Sequence, residues 1–382
     1  MNKPKIRFKG FEGEWKRQSL GDISASFSGG TPAVSVSDYY GGNIPFIRSG
    51  EIHENRTQLY ITQAGLNNSS AKIVEKGTIL YALYGATSGD VGFSKLRGAI
   101  NQAILAIEPT KKYIDRIFLV GFLQSYKHRI INELLQGGQG NLSGSLVKKI
   151  LLAFPSLPEQ RAIASYFTSL DAQIAASSSR LSSLKQIKAA SLLNMFPQKG
   201  ESVPRVRFKE FQGEWKEIKL GEVCLVNRGV RITRKDLSNA EGYPVFQNTN
   251  YPLGFYQYYN VEAKNPFVII GGSAGLIGFS NKEFWAADDC VYFKDKEETD
   301  KSFLYNILCS HEAEIKKEVR GSSVPRLDRS ILEKLRINLP SLSEQRAIAS
   351  YFTALDAQIT FHRKRLEKLK QIKAACLKKM FA

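Results

Sequence analysis

Cysteine, histidine and long apolar runs are scarce in this sequence, and each scarcity excludes a class of protein. The 382 residues include four cysteines, Cys224, Cys290, Cys309 and Cys376, and no two of them form a Cys-x-x-Cys pair. A disulfide framework or a zinc site is therefore not expected, and free thiols suit the reducing cytoplasm. No apolar run reaches the roughly 18–20 residues of a membrane helix, and the first residues lack the apolar core of a signal peptide. We expect a cytoplasmic protein with no membrane partner.

The signatures of common nucleic-acid enzymes are also missing. The glycine stretches Gly85–Gly89 and Gly271–Gly275 lack the lysine of a nucleotide-binding loop, so they predict tight turns, either bare hairpins or close approaches to phosphate. Asn265-Pro266-Phe267 lacks the second proline of a methyltransferase loop for flipped adenine, and it is more typical of a strand start. Asp288-Asp289 is an isolated acidic pair without the other carboxylates of a metal-dependent nuclease. The sequence therefore predicts a chain that is not an enzyme.

Positive charge is what the sequence has in excess. Lysine and arginine number 54 against 36 aspartates and glutamates, which gives a net charge of +18. Such an excess indicates a polyanionic partner, and without a membrane signal that partner is nucleic acid. Hydrophobic residues make up 43% of the chain, so each of two or three domains can bury a core.

The chain is an internal duplication. Arg7–Trp15 (RFKGFEGEW) recurs as Arg207–Trp215 (RFKEFQGEW), and Glu159–Ile174 recurs as Glu344–Ile359 with one substitution. The two copies of the second motif are closer together in sequence than those of the first, so the variable part of the first repeat is the longer one. Each repeat has a divergent body followed by a near-identical tail, which predicts one scaffold carrying two different surfaces.

Each tail predicts a long helix that forms a coiled coil. Ser156/Glu159 and Ser341/Glu344 have the spacing of a capping box at the start of each helix. Apolar residues then recur at alternating spacings of four and three over about 38 residues, a rod of about 57 Å. The predicted seam positions are Ile163, Phe167, Leu170, Ile174, Leu181 and Leu184 in the first tail, and Ile348, Phe352, Leu355, Ile359, Leu366 and Leu369 in the second.

We expect the two helices to run antiparallel, with paired residue numbers that sum to about 539. This register places Leu184 against Leu355 and Ile187 against Phe352. The alternative is that each apolar stripe only covers the body of its own repeat.

The bodies predict a mixed fold, because short β-branched and aromatic segments are followed by helical patterns. The predicted strands are Ile44–Ile47, Thr78–Leu83, Ile100–Ile107, Phe267–Ile270 and Cys290–Phe293, and the predicted helices are Asp115–Leu135, Asp300–Val319, Ser145–Ile150 and Ser330–Leu335, the last capped by Asp328. The fold class is therefore α+β: two mixed, strand-containing domains separated by long helices that form an antiparallel coiled coil, in an internally duplicated chain.

The bodies also contain the side chains that DNA-binding proteins use. Lysine and arginine bind phosphates, while arginine and the side-chain amides bind base edges. The candidates are Arg48, Thr87, Ser88, Gln102, Gln136, Gln139 and Asn141 in the first repeat, and Arg228, Arg231, Arg234, Lys235, Gln247, Asn248, Asn250, Arg320, Ser322 and Arg326 in the second. Ordinary solvated loops are the competing interpretation. The run Phe255–Tyr259 predicts either base stacking or a half-buried strand.

Two near-identical helical segments that alternate with two divergent bodies resemble the specificity subunit of type I restriction–modification systems. The motif Pro-x-Leu-x-Glu-Gln-Arg-x-Ile opens both tails, at Pro155–Ile163 and Pro340–Ile348. The segments around Trp15 and Trp215 are also similar to that family. The resemblance covers essentially the whole chain and is specific in its helical parts. It implies target recognition domains at 1–155 and 201–340, with conserved helical regions at 156–200 and 341–382.

The resemblance implies that each variable domain reads one half of a bipartite double-stranded DNA target. The paired helices would set the spacer and dock two adenine methyltransferase subunits, and two motor–nuclease subunits would complete the restriction complex. S-adenosylmethionine, ATP and Mg²⁺ would belong to those partners, and this chain would hold no cofactor. The competing hypotheses are a non-catalytic DNA-bridging coiled-coil protein and a nuclease or methyltransferase with a diverged site.

Overall fold

The computed structural model describes residues 3–110, 112–134, 142–239, 241–296 and 298–381. The chain forms two compact units: unit 1 is Met1–Ser177 with Arg365–Ala382, and unit 2 is Ser178–Lys364. Each unit contains one body and a segment of each long helix. Within the described ranges, no helix is both long and apolar enough to cross a membrane. The domain boundaries given above remain a prediction.

Unit 1 combines short strands with helices. Its strands are β1 (Lys16–Ser19), β2 (Ser24–Ser28), β3 (Tyr40–Ile47), β4 (Tyr60–Ile61), β5 (Lys72–Val74), β6 (Ile79–Ala82), β7 (Val91–Phe93), β8 (Gly98–Ile100), β9 (Ile104–Pro109) and β10 (Leu151–Phe154). Its helices are α1 (Leu20–Ile23), α2 (Gln63–Asn67), α3 (Arg116–Leu134), α4 (Gly144–Lys148) and the first part of the long helix α5 (Leu157–Asn194). Short 3-10 turns lie at Ser37–Tyr39, Ser49–Glu51 and Gly85–Thr87.

Two four-stranded sheets build the described part of the unit 1 body. The strands β2, β9, β6 and β7 are antiparallel neighbours, and β4, β3, β8 and β5 form a second sheet in which β3 and β8 are parallel. Strand β6 is buried on both faces, because Ile79 and Tyr81 pack into the main core with α3, whereas Leu80 and Ala82 pack with residues of the second sheet. A further pair joins β1 to β10, so both ends of the body meet where α5 begins.

Unit 2 has a similar set of elements. Its strands are β11 (Lys216–Lys219), β12 (Cys224–Arg228), β13 (Tyr243–Phe246), β14 (Gly254–Tyr256), β15 (Asn265–Ile269), β16 (Ile277–Ser280), β17 (Trp285–Ala286), β18 (Cys290–Asp295) and β19 (Arg336–Leu339). Its helices are α6 (Leu220–Val223), α7 (Lys301–Ser310), α8 (Glu312–Lys317), α9 (Arg329–Lys334) and the first part of the long helix α10 (Leu342–Met380). A 3-10 turn lies at Arg234–Asp236.

The two units share one strand order, which confirms the duplication. The order β12-β18-β15-β16 repeats β2-β9-β6-β7, and β14-β13-β17 repeats β4-β3-β8 with its parallel pair. Unit 1 places α2 and β5 between β4 and β6, whereas unit 2 runs from β14 to β15 without an intervening helix or strand. Much of the extra length of the first body lies in this connection.

The predicted strands correspond to β3, β6, β15 and β18, with one correction. The segment Ile100–Ile107 forms two strands, β8 and β9, because the chain turns at Asn101. The Asn101 side-chain oxygen accepts a hydrogen bond from the Ala103 N–H, and its carbonyl accepts one from the Ile104 N–H, both at 3.2 Å. The two strands consequently belong to different sheets.

The predicted helices are present as α3, α4, α7 and α9, also with one correction. The segment Asp300–Val319 is divided into α7 and α8 at His311, where the backbone leaves helical geometry (φ −95°, ψ 5°). Asp328 caps α9 as predicted, and its carboxylate accepts from the Ser330 N–H at 2.8 Å.

Within each unit, a segment of α5 lies against an antiparallel segment of α10. The polar contacts across the pair are Asp171–Lys373 (2.6 Å) and Tyr166–Cys376 (3.4 Å) in unit 1, and Lys188–Asp356 (2.6 Å) and Ser191–Tyr351 (2.9 Å) in unit 2. Residue numbers rise on one helix as they fall on the other. The predicted antiparallel direction is therefore confirmed in both units.

The predicted register of these helices needs a correction of about one helical turn. The residue numbers of the four polar pairs sum to 542–544 rather than 539. Leu184 packs with its predicted partner Leu355 but also with Ile359, one turn further along. Ile187 is 43% exposed and is not among the residues packed with its predicted partner Phe352, which is buried in the main core of unit 2.

The predicted seam residues are buried or half-buried in the structure. Near the start of each long helix they also enter the core of a body, since Ile163 and Phe167 pack in the main core of unit 1, and Ile348 and Phe352 pack in that of unit 2. Both interpretations of the apolar stripe are therefore correct. Its first turns pack against the body of the same unit, and its later turns pack against the other long helix.

Candidate nucleic-acid interface

In unit 2, several loops meet at one edge of the two sheets. Strand β12 ends at Arg228 and β15 ends at Ile269, each beside the first residues of β18. The parallel strands β13 and β17 end at the same edge, where the Ala287 N–H donates to the Phe246 carbonyl at 2.9 Å. We define loop edge 2 as residues 228–235, 247–250, 271–275, 287–289 and 320–326.

Side-chain contacts join the loops of loop edge 2. Arg228 Nε donates to the Asp288 carbonyl at 2.6 Å, and Gln247 Nε2 donates to Asp288 Oδ1 at 3.4 Å. The Arg326 guanidinium lies 3.3 Å from the Asp289 carboxylate. Three of the predicted DNA-binding residues, from loops that are distant in sequence, are thus brought together on two adjacent aspartates.

Loop edge 2 exposes much of its positive charge. Arg231, Arg234 and Lys235 follow β12 and are exposed. The side chains of Arg320 and Arg326 are 74% and 61% exposed, although each lies near a carboxylate. The Arg320–Glu318 pair is exposed on both sides, and such pairs contribute only about 0–1 kcal/mol, so the Arg320 guanidinium can exchange its carboxylate for a phosphate or a base edge at little cost.

Unit 1 has a corresponding edge, loop edge 1, formed by residues 29–31, 48–51, 84–89 and 101–103. The Thr31 hydroxyl donates to Gln102 Oε1 at 2.5 Å, which joins the loop after β2 to the loop after β8. The Leu142 N–H donates to the Leu83 carbonyl at 2.9 Å, and the Leu327 N–H makes the corresponding bond in unit 2. The chain therefore approaches α4 and α9 from equivalent points beside the two loop edges.

Arg48 and Glu51 form a charged cluster at loop edge 1. The Arg48 guanidinium donates to both carboxylate oxygens of Glu51, at 2.9 and 3.2 Å. Burial opposes ionisation of Glu51, but hydrogen bonds from Arg48, from the Gln58 N–H and from the Thr57 hydroxyl outweigh it and lower the pKa of Glu51 to about 2. The hydrogen bond to Glu51 in turn raises the pKa of Arg48. The pair is therefore ionised at physiological pH, and the Arg48 side chain is 45% exposed at the edge.

Two other candidates at loop edge 1 stabilise the turn between β6 and β7. Thr87 is half-buried, and its hydroxyl lies 3.5 Å from the Tyr84 carbonyl. Ser88 is 5% exposed, and its hydroxyl donates to the Leu83 carbonyl at 3.1 Å. The candidates Gln136, Gln139 and Asn141 lie outside the residues that the structure describes.

The amide candidates of loop edge 2 differ in what they contact. Asn250 Nδ2 donates to the Ile277 carbonyl at 3.3 Å, which holds the loop after β13 against β16. Asn248 and Ser322 are both exposed. Gln247, which contacts Asp288, is half-buried.

The aromatic run after β13 is a strand at its start and an exposed surface at its end. Phe255 and Tyr256 belong to β14 and are half-buried, and Tyr256 packs edge-on against Trp285 at 5.0 Å. Tyr258 and Tyr259 are 58% and 43% exposed. The strand interpretation is therefore correct for the first part of the run.

Sequence reasoning missed several residues of the two edges. Thr31 gave no local signal, because its partner Gln102 comes from another loop. Glu51 lies three residues after Arg48, and this spacing of opposite charges was a local signal for their ion pair. Asp288-Asp289 is an isolated acidic pair in the sequence, yet only 21% of the Asp289 side chain is exposed and it contacts Arg326. A pattern along the chain cannot reveal contacts of this kind.

The Glu-Gln-Arg motif attaches each body to its long helix. Arg7 donates to both carboxylate oxygens of Glu159 at 2.7 Å, and Arg207 donates to those of Glu344 at 2.7 and 2.8 Å. Both glutamates are 1% exposed. The predicted capping boxes are corrected at this point: Ser341 does accept from the Glu344 N–H at 3.4 Å, but the carboxylates are bound by arginines of the two entry segments.

The motif glutamine has a structural role that the sequence did not indicate. Gln160 Oε1 accepts from the Asp115 N–H at 2.8 Å, and its Nε2 donates to the Pro155 carbonyl at 2.9 Å. Gln345 repeats the first contact in unit 2 with the Asp300 N–H at 3.2 Å. In each unit, the buried glutamine side chain therefore links the start of the body helix, α3 or α7, to the start of the long helix.

Comparison with known proteins gives one consistent result. The family model for the type I restriction modification DNA specificity domain matches residues 12–186 and 212–371, one copy in each repeat. The chain is 21% identical over 388 residues to the type I restriction enzyme MjaVIII specificity subunit of Methanocaldococcus jannaschii, covering 94% of this chain and 90% of that protein. It is 23% identical over 411 residues to the MjaIX specificity subunit of the same organism, covering 96% and 92% of the two chains.

Solved structures of the same kind share this fold. The S subunit of the type I restriction–modification system from M. genitalium superposes with a TM-score of 0.73 at 19% identity, covering 100% of this chain and 99% of that one. A chain from a structure that describes assembly and conformational transition of the type I R-M system superposes with a TM-score of 0.55 at 17% identity, covering 96% and 97%. With the family model covering most of both repeats, the chain belongs to the type I restriction–modification DNA specificity family and is a specificity subunit of such a system.

Proposed function

We propose that each unit of this specificity subunit reads one half of a bipartite double-stranded DNA target. The observation that carries the proposal is the duplication, in which one strand order supports two loop edges of different sequence. Loop edge 1 offers Arg48 and Gln102, whereas loop edge 2 offers a set of arginines with Gln247 and Asn248. Two unlike surfaces on one scaffold suit a target whose two halves differ in sequence.

The chemistry of loop edge 2 fits the surface of a DNA groove. Arg231, Arg234 and Lys235 are suited to phosphates, which supply most of the affinity and position the protein. The Gln247 and Asn248 amides are suited to adenine, which offers one acceptor and one donor in the major groove. The net charge of +18 favours approach of DNA to either edge.

The long helices are the surface on which we place two adenine methyltransferase subunits. Ile187, Leu193 and Phe361 are 43%, 55% and 60% exposed on these helices. Large apolar side chains exposed among charged residues are typical of a surface that is covered by a partner. Because Glu159–Ile174 and Glu344–Ile359 differ at one residue, this repeated segment can offer equivalent contacts to two copies of one protein.

In this proposal, the chain supplies specificity and its partners supply the chemistry. The methyltransferase subunits would bring S-adenosylmethionine and modify adenine, and two motor–nuclease subunits would use ATP and Mg²⁺. The paired helices would set the number of base pairs between the two half-sites. This division of labour agrees with a sequence that contains no recognised catalytic motif.

Adenine methylation mapped by long-read sequencing tests the proposal in a host that expresses the chain with its methyltransferase. The control host expresses the methyltransferase alone. We expect a bipartite motif with a fixed gap that appears only when the chain is present. Methylation at a single undivided motif, or the same motif without this chain, would contradict the proposal.

A variant pair makes the same experiment specific to loop edge 2. Gln247→Ala should relax or weaken one half of the motif and leave the other half intact, because the two edges lie in different units. Arg205→Ala, which removes an exposed pair with Glu201 outside either edge, should leave both halves unchanged.

A further inference from the structure

Residues 320–326 form a short projection at loop edge 2, which we call the finger. Its two ends pair with each other: the Arg320 N–H donates to the Arg326 carbonyl at 2.9 Å, and the Arg326 N–H donates to the Arg320 carbonyl at 2.8 Å. The base of the finger is also fixed to the β15–β16 turn, where the Gly272 N–H donates to the Pro325 carbonyl at 3.1 Å. The finger is therefore anchored by backbone bonds on both sides.

The tip of the finger has a defined conformation. Gly321 has φ +92°, a backbone region that other residues adopt only with strain, and a Cβ atom there would lie 2.8 Å from the Val324 carbonyl oxygen. Pro325 further restricts the backbone that follows the tip. A tip held in this way loses little conformational entropy when it binds.

Val324 is the unusual residue of the tip. It is 57% exposed, although its neighbours Ser322 and Ser323 are polar and arginines flank the finger. Its two methyl groups are therefore left largely open to solvent. An isolated exposed valine would need no explanation on an ordinary loop, but this one stands on an anchored projection at the edge proposed to read DNA.

The surroundings of the finger place Val324 among groups suited to DNA. Arg326 at its base contacts Asp289, which belongs to the same edge as Gln247. The Ser273 N–H donates to the Asn248 carbonyl at 3.0 Å, so the turn that anchors the finger is itself bound to the amide-bearing loop. Phosphate-binding, amide and apolar side chains thus converge on one edge.

We propose that Val324 contacts the 5-methyl group of a thymine in the half-site that unit 2 reads. That methyl is the one apolar group which the four bases present in the major groove, and apolar side chains are its usual partners. Arg320 and Arg326 hold the finger against phosphates while the serines of the tip lie over neighbouring base edges. This inference rests on the proposed reading of DNA by loop edge 2 and assigns one contact within it.

Replacement of each thymine of the half-site by deoxyuridine, which lacks the methyl group, tests the assignment. The full-length chain is titrated with duplexes that carry the target found by methylation mapping, with one thymine replaced at a time. We expect one position at which the replacement weakens binding about fourfold, the effect of about 0.8 kcal/mol for one buried methyl group. Val324→Ala should abolish this difference while binding of the unmodified target falls by a similar factor.

A matched control uses an exposed valine of unit 1. Val34 is 79% exposed, and Val34→Ala should preserve the full response to deoxyuridine in the half-site of unit 2. The assignment is overturned if no thymine responds, if the half-site contains no thymine, or if Val324→Ala retains the full response. Loss of all preference for the target over random DNA in the unaltered chain would instead contradict the proposed function, so the two failures are distinguishable.

Discussion

At the residue scale, the two units are most alike in the buried ion pair that joins each entry segment to its long helix. Arg7–Glu159 and Arg207–Glu344 have the same two-point geometry in units whose bodies share little sequence. Both residues of each pair lie in motifs that repeat in the sequence. The sequence did not predict that they contact each other, because the partners lie 152 and 137 residues apart. Local spacing instead suggested a capping role for the glutamates.

We expect Arg207→Ala to destabilise unit 2 by about 3 kcal/mol, because it leaves the Glu344 carboxylate buried without a counter-charge. Chemical denaturation monitored by fluorescence, together with hydrogen exchange in α7, measures the effect. Arg205→Ala is the matched control: its pair with Glu201 is exposed and should contribute less than about 1 kcal/mol. Equal effects of the two variants would argue against the structural role of the buried pair.

The Glu51 carboxylate should make the stability of unit 1 fall as the pH is lowered below about 4.5. Its pKa is about 2 in the folded protein against an ordinary value of 4.5, so its contribution to stability is complete above pH 4.5 and is lost as the pH falls towards 2. Glu51→Gln should therefore lower the free energy of unfolding by about 2 kcal/mol at pH 7. The difference between variant and unaltered chain should shrink when denaturation is repeated at pH 4, 3 and 2. A difference that stays constant over this range would contradict the assigned contacts.

At the scale of elements, the long helices were the most predictable part of the fold. Their length and position follow from the apolar spacing, and α5 spans 38 residues where about 38 were expected. Their antiparallel direction was a hypothesis that the contacts between the helices confirm. Their register was not predictable, since a stripe that repeats every seven residues fits its partner almost as well after a shift of one turn. The polar contacts that fix it, such as Lys188–Asp356, are not visible in the apolar pattern.

Phe381 and Phe196 should support different units. Phe381 packs on Phe118 and Phe167 in unit 1, while Phe196 is buried in the core of unit 2. Truncation of either residue to alanine should lower the free energy of unfolding of its unit by about 3 kcal/mol. Hydrogen exchange should consequently be faster in α3 for Phe381→Ala and in α7 for Phe196→Ala. The exposed Phe361 provides the control, since Phe361→Ala should leave exchange in both helices unchanged. Faster exchange in the same helix for both core variants would contradict the division into units.

A matched deletion in both long helices should change the spacer of the target. Removal of Ser178–Leu184 and Arg363–Leu369 takes one heptad from each helix and keeps the apolar pattern in phase, a shortening of about 10 Å. At about 3.4 Å per base pair, the gap in the methylated motif should change by about three base pairs while both half-sites stay the same. Altered half-sites at an unchanged gap would refute the proposal that the helices set the spacing.

At the scale of the whole molecule, the duplication, the charge and the family could be predicted from the sequence, whereas the composition of the two loop edges could not. The Glu-Gln-Arg motifs and the offset repeats predicted two bodies and two helices, and the family model agrees with them. The loop edges depend on strand ends that are distant in sequence and adjacent in a sheet. Candidates chosen by residue type therefore include residues in unlike environments. Arg231 and Arg234 are exposed, whereas Ser88 is buried and its hydroxyl donates to the Leu83 carbonyl.

The central claim is that each unit reads its own half of the target, and an exchange of bodies tests it most directly. Residues 216–339, from β11 through β19, would be replaced by the corresponding segment of another specificity subunit, and adenine methylation would be mapped with the same methyltransferase. We predict that one half-site changes to that of the donor, while the other half-site and the gap are unchanged. A change in both half-sites, or a change in the gap alone, would contradict the account.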